Sequence, residues 1–166
     1  MARVFIGVGH GGSDPGAVSA GIRESEANLQ MALGLKAELE RHGVTVGISR
    51  TKEENDPLQE EINEANAFKP DLAVECHNNA GGGDGFEVYR QTNAYKDRSI
   101  KLAQKIEARV KAAGQNSRGI KTKLNSSGTD YFGWLRQVKA PAVLCEGFFV
   151  DNAKDRLDFD TQAEQR

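Results

Sequence analysis

Arg3-Val4-Phe5-Ile6-Gly7-Val8-Gly9-His10-Gly11-Gly12-Ser13-Asp14-Pro15-Gly16-Ala17 is the stretch from which the fold is read. A near-continuous apolar run that ends in Gly-His-Gly-Gly describes a buried strand reaching the surface, on backbone free enough to turn sharply around an imidazole. His10 is therefore a candidate metal ligand; the plain alternative is a histidine that hydrogen-bonds a turn. Working outward, Glu24 to His42 carries Leu29, Ala32, Leu33, Leu35, Ala37 and Leu39 at spacings of three and four, with Gly43 as the stop. That is an amphipathic helix packed on a sheet. Val44 to Arg50 then reads as a second strand.

The alternation continues. Asp56-Pro57-Leu58-Gln59 is a helix start in which Asp56 caps, Pro57 takes the first helical position and Gln59 completes a capping box. The helix runs to about Phe68, and Asp71 to His77 follows as a strand that again ends on a histidine. Gly85 to Arg90 alternates like a half-buried strand, expected at an edge, and Lys96 to Ala113 has helical spacing. Gly114 to Asp130 has the composition of a surface loop, interrupted by a short strand near Gly119-Ile120-Lys121. Tyr131 to Leu135 suits a short helix, Pro141 to Glu146 a last buried strand, and Asp151 to Asp155 a final helical turn. The expected fold class is α/β: three layers, with a mostly parallel twisted sheet of five to six strands and helices on both faces.

Composition narrows the function. The 166 residues suit one domain, with 38% hydrophobic and 28% charged residues and a formal net charge of -2. Such a balance excludes a dominant electrostatic attraction to nucleic acid or anionic lipid, so neither nucleic acid nor membrane is an expected partner. No apolar run approaches the roughly 20 residues of a membrane span. Cys76 and Cys145 both fall within buried strands and suit free core thiols better than a disulfide. The N-terminal apolar stretch is too short for a signal peptide, so synthesis in the cytoplasm is expected. A monomer is the expected state.

Sheets of this kind gather their sites at the carboxyl ends of strands. His10, His77 and Glu146 each end a strand in this reading, which brings two imidazoles and a carboxylate to one rim. Two histidines and one carboxylate make a three-ligand zinc set with a fourth position open, the pattern of a hydrolytic site. Asp14, Glu24, Glu26 and Glu87 are all candidates for the carboxylate ligand, with Glu146 as general base, and spacing does not choose among them.

Five blocks carry a resemblance: His10 to Ala17, Glu24-Ser25-Glu26-Ala27-Asn28-Leu29, Ala65-Asn66, His77-Asn78-Asn79, and Pro141 to Asn152. In that order they resemble the zinc-dependent N-acetylmuramoyl-L-alanine amidases of the amidase-3 type, in a flavour similar to clostridial phage endolysins. The resemblance implies that His10, Glu24 and His77 bind Zn2+ and that Glu146 is the catalytic carboxylate. It also implies the reaction, hydrolysis of the amide between the lactyl group of N-acetylmuramic acid and L-alanine in bacterial peptidoglycan, leading to wall lysis. The chain departs from the family pattern at Glu61, where many members carry Arg, and at Glu75, where a small or apolar residue is usual. The closing helix also looks shortened.

Asn79 either orients substrate or braces the His77 loop. Asn125 and Tyr131, with Phe132 and Trp134, either line a substrate groove or sit in a lid over the core. Two further readings compete with an amidase: a non-catalytic wall-binding module of the same fold, and a hydrolase using Cys145 with His77. Strand alternation turns both thiols away from the rim and argues against the latter. The expected organisation is a single catalytic domain over 1–166, with a wall-binding module a candidate for a missing C-terminal segment. Such an enzyme would reach the wall after lysis or release.

Overall fold

The computed structural model describes residues 1–157, and these form a six-stranded sheet between two layers of helix. In chain order the elements are β1 (Arg3–Val8), β2 (Val18–Ser19), β3 (Ile22–Arg23), α1 (Glu24–Arg41), β4 (Thr45–Ile48), α2 (Leu58–Phe68), β5 (Leu72–Asn79), β6 (Phe86–Arg90), α3 (Lys96–Ala112), β7 (Ser117–Lys121), α4 (Gly133–Gln137) and β8 (Ala142–Phe149). A further helical turn begins at Ala153. The question of a shortened closing helix lies outside the described residues.

The large sheet has the order β4-β1-β5-β8-β6-β7. All its pairings are parallel except β6 with β8. Strands that are covered on both faces read as apolar runs, and this is why β1, β5 and β8 are plain in the sequence. Alternation sorts their side chains. Phe5, Ala73, Ala142 and Leu144 pack on one face with Ile62 and Ala65 of α2 and Trp134 and Leu135 of α4. On the opposite face Val4, Ile6, Val8 and Cys76 pack under α1, while Val74, Val88, Val143 and Cys145 pack under α3. Both thiols are thus free and buried on the α1/α3 face. Burial pushes the Cys145 thiol up to about 12, a poor nucleophile.

Three expectations are corrected. β6 is not an edge strand: it lies between β8 and β7, and β7 and β4 form the edges. Its alternation is real, but Val88 faces the core under α3 while Glu87 and Tyr89 face the opposite side of the sheet, where the polar rim lies. At the start of α2, Pro57 is the N-cap in an extended conformation and no side chain caps the helix. Asp56 turns instead into the cleft described below, and Gln59 bonds Asn63. On α1, Leu33 and Ala37 are exposed, so the buried stripe is narrower than the pattern of apolar residues. The antiparallel pair β2–β3, joined by Ala20 and Gly21 at positive φ, is too short to carry a sequence pattern.

Candidate functional site

The loop after β1 is shaped residue by residue. His10 has φ 63°, a left-handed conformation that a non-glycine residue holds only when its surroundings demand it. Gly11 and Asp14 exchange backbone hydrogen bonds of 2.8 and 3.0 Å across the turn. Gly16, also left-handed, leaves no room for a Cβ, which would stand 2.6 Å from Glu24 Oε2 and 2.7 Å from His10 Cδ2. The loop then caps α1: the amides of Glu24 and Ser25 donate to the carbonyls of Ala17 and Pro15. One short connection therefore delivers a histidine from a strand end and a carboxylate from a helix start to the same point.

There His10, Glu24 and His77 meet, with one ligand atom of each lying within 4.8 Å of the others. Glu24 Oε1 is 3.2 Å from His10 Nε2 and 3.0 Å from His77 Nδ1. The imidazole rings stand edge to face at a centroid distance of 4.9 Å. Glu24 Oε2 accepts from the Ala17 amide and Oε1 from the Asn78 amide. Burial raises the pKa of Glu24, but the hydrogen bonds from both histidines outweigh it and hold the carboxyl far below its usual range. His10 is raised, chiefly by its bond to Glu24. His77 is raised well above an ordinary histidine because its bonds to Glu24 and Glu75 overcome the burial that pulls it down. An ionised carboxylate between two imidazoles is a donor set that fits a divalent ion taking nitrogen and oxygen ligands.

Glu146 stands beside His77 in the β5–β8 register and opposite Glu87 in the β8–β6 register, so the three share the α2/α4 face. Its Oε2 is buried with no hydrogen-bond partner. Burial, only partly offset by His77, pushes its carboxyl up to about 7, the range in which a carboxylate exchanges protons at neutral pH. A cleft of about 570 Å³ opens on the same face, lined by His10, Asp14, Asp56, His77, Phe132 and Trp134 among others.

The other candidates scatter. Glu26 is exposed and pairs with Arg23. Glu87 is held by Arg118 and Lys121. Asp14 bonds His10 Nδ1 at 2.8 Å and stands behind that ring, away from Glu24. Asn79 contacts Glu87 Oε2 at 3.4 Å and accepts from the Ala80 amide. Asn125 organises its own turn through Thr129, and Tyr131 is half exposed against Phe132. Asn79, Asn125 and Tyr131 do not line the cleft, while Phe132 and Trp134 do.

Other supporting residues were not read as part of the site in the sequence, where Glu61 and Glu75 stood only as departures from the family pattern. Arg50, buried two residues past β4, donates to the carbonyls of Val8, Gly9 and Ser25, tying the loop to α1. Asn28 donates to the Gly9 carbonyl and accepts from Asn78, whose Oδ1 accepts from the Phe148 amide. Glu61 and Glu75 both line the cleft from beneath. The Asn28 and Asn78 signals were present inside the motif blocks; Arg50 carried no signal of its own.

Comparison with known proteins places the chain in a family. The profile of the family described as Amidase_3, N-acetylmuramoyl-L-alanine amidase, matches residues 4–166. The chain is 37% identical over 163 residues to the N-acetylmuramoyl-L-alanine amidase CwlM of Bacillus licheniformis, covering 93% of this chain and 59% of that protein. It is 36% identical to the endolysin of Bacillus phage SPP1, covering 90% of this chain and 55% of the other. The chain thus spans less than two thirds of these relatives. Among solved structures, an N-acetylmuramoyl-L-alanine amidase from Clostridium difficile 630 superposes with a TM-score of 0.86 at 30% identity, covering 99% of this chain and 88% of that one.

Proposed function

The chain belongs to the Amidase_3 family of N-acetylmuramoyl-L-alanine amidases, and from that premise we propose that it hydrolyses the amide between the lactyl group of N-acetylmuramic acid and L-alanine in peptidoglycan, with zinc as its metal. The observation that carries the reading is the convergence of His10, Glu24 and His77 on one point, with Glu146, whose buried Oε2 has no hydrogen-bond partner, on the same face.

In this reading Nε2 of His10, Oε1 of Glu24 and Nδ1 of His77 hold the ion. Bound zinc supplies a Lewis acid for the scissile carbonyl and makes a water acidic enough to attack at neutral pH. Glu146 does the proton work: its carboxylate accepts the proton from the attacking water, and the resulting carboxylic acid returns it to the departing alanine nitrogen. A carboxyl raised to about 7 is matched to both halves of that cycle. Asn79, Asn125 and Tyr131 are proposed substrate contacts outside the cleft. The chain acts as a monomeric catalytic domain on the cell wall; a Staphylococcus aureus relative, 31% identical, is named a probable cell wall amidase. No helix among the described residues is long and apolar enough to cross a membrane.

Digestion of purified peptidoglycan tests the reading. New L-alanine amino termini should appear without new reducing sugar ends, and a zinc chelator should suppress them. Binding of wall and zinc with no new alanine termini would instead identify a non-catalytic wall-binding module.

A further inference from the structure

We propose that Glu75 is a positioning residue for His77, fixing its imidazole in the Nε2–H tautomer so that the Nδ1 lone pair is directed at the metal position. The inference rests on the metal centre proposed above and adds a residue outside the ligand set. Glu75 and His77 lie two residues apart on β5 and share one face of the sheet. Glu75 Oε1 is 3.2 Å from His77 Nε2, while Glu24 Oε1 is 3.0 Å from Nδ1, so carboxylates engage the ring at both nitrogens. The far side of the ring is closed by Gly9, where a Cβ would collide with His77 Nε2. The imidazole is thus pinned in place and in orientation.

His10 shows the mirror arrangement. Its Nδ1 is bonded to Asp14 Oδ2 at 2.8 Å and its Nε2 faces Glu24 at 3.2 Å. One histidine therefore presents Nε2 and the other Nδ1, and in each the remaining nitrogen is tied to a carboxylate. Outer carboxylates of this kind fix the tautomer of a ligating histidine and raise its basicity. The two differ in setting: the Asp14 side chain is 66% exposed on a loop, whereas that of Glu75 is 3% exposed in the floor of the cleft.

The position is costly for the fold, which argues that Glu75 does more than pack. Its Oε2 is buried with no partner. Close by lies a second buried carboxyl, Glu61, whose Oε1 accepts from the Val8 amide at 2.6 Å and the Ser49 hydroxyl at 3.1 Å. A small or apolar side chain at 75 would remove both the orphaned oxygen and the second buried carboxyl beside Glu61. What it would also remove is the acceptor for His77 Nε2–H.

The test compares wild-type chain with Glu75→Ala and Glu75→Gln. Zinc affinity is measured by competition with a chromophoric chelator, the His77 tautomer by long-range ¹H–¹⁵N NMR of the imidazole, and folding by the unfolding midpoint of the metal-free proteins. Loss of the acceptor in Glu75→Ala should weaken zinc binding by about 10- to 100-fold and mix the His77 tautomers. Glu75→Gln, whose amide oxygen still accepts from Nε2–H, should recover most of the affinity. If Glu75→Ala does not fold, Glu75→Leu, of similar size and without an acceptor, replaces it. Wild-type zinc affinity in the alanine or leucine variant, with His77 still the Nε2–H tautomer, would overturn the proposal. Failure of the wild-type chain to bind zinc at all would instead refute the metal centre, and a wild-type His77 found as the Nδ1–H tautomer would refute the role of Glu75 separately.

Discussion

Glu146 concentrates the chemistry in one side chain, and its environment makes two consequences measurable. As the only carboxyl proposed to move protons, it should be indispensable: Glu146→Gln should lower kcat by about 10²- to 10⁴-fold while wall binding and zinc affinity stay near wild type. The same substitution should act on stability with the opposite sign. The folded-state pKa of Glu146, about 7, lies above its ordinary value of 4.5, so the folded protein binds its proton more tightly than the unfolded chain. The metal-free wild type therefore loses stability as pH rises from about 4.5 to about 7, and Glu146→Gln has no such loss. At pH 8 the metal-free variant should be the more stable by up to about 3 kcal/mol, and at pH 4 the difference should vanish. Urea unfolding at the two pH values checks it. Residues of this kind were legible for a simple reason: His10, His77 and Glu146 are polar groups at the carboxyl ends of apolar runs. Glu24 was not legible in that way. It shares its neighbourhood with Asp14 and Glu26, and only the turn closed at Gly16 and the start of α1 bring it, and neither of the others, between the two rings.

Elements are held together by buried polar side chains as much as by their apolar faces. Gln91, fully buried just past β6, has its amide nitrogen 3.2 Å from the carbonyls of both Leu135 and Ala140, and its oxygen accepts from the Ala142 amide at 2.8 Å. It joins β6 to the end of α4 and the start of β8. Gln91→Leu strands the Ala140 carbonyl and the Ala142 amide, while the Leu135 carbonyl keeps its bond from Asn93 Nδ2, and should cost roughly 2–4 kcal/mol, read as a lower urea midpoint at unchanged slope. Sequence patterns reveal little of this. A period-2 alternation says that β6 has one polar face, but not that the polar face lines a site; that misreading placed β6 at an edge. Likewise Asp-Pro before α2 has the chemistry of a cap, yet Pro57 sits extended and Asp56 is drawn into the cleft, where burial raises its pKa. Long covered strands were readable because burial on both faces leaves a continuous apolar run. Local caps and two-residue strands were not, since tertiary contacts decide them.

At the scale of the whole molecule, the fold gathers its chemistry on one face by bringing His77 and Glu146, neighbours within β5 and β8, together with the loop after β1 and the start of α1; both strands run on past these residues, to Asn79 and Phe149, and do not end on them. The remainder of the chain supports that face: Arg50 and Asn28 tie the loop from below, and α2 and α4 wall the cleft. With a formal net charge of -2, the chain has no bulk positive charge to draw it to an anionic polymer. The central claim is that a single zinc ion sits between His10, Glu24 and His77 beside Glu146. Diffraction data collected on both sides of the zinc absorption edge, from crystals of the zinc-loaded chain, test it most directly. The account predicts one strong anomalous peak about 2.0–2.2 Å from His10 Nε2, Glu24 Oε1 and His77 Nδ1. A map with no peak there, in which Glu24 still hydrogen-bonds both imidazoles, would contradict it.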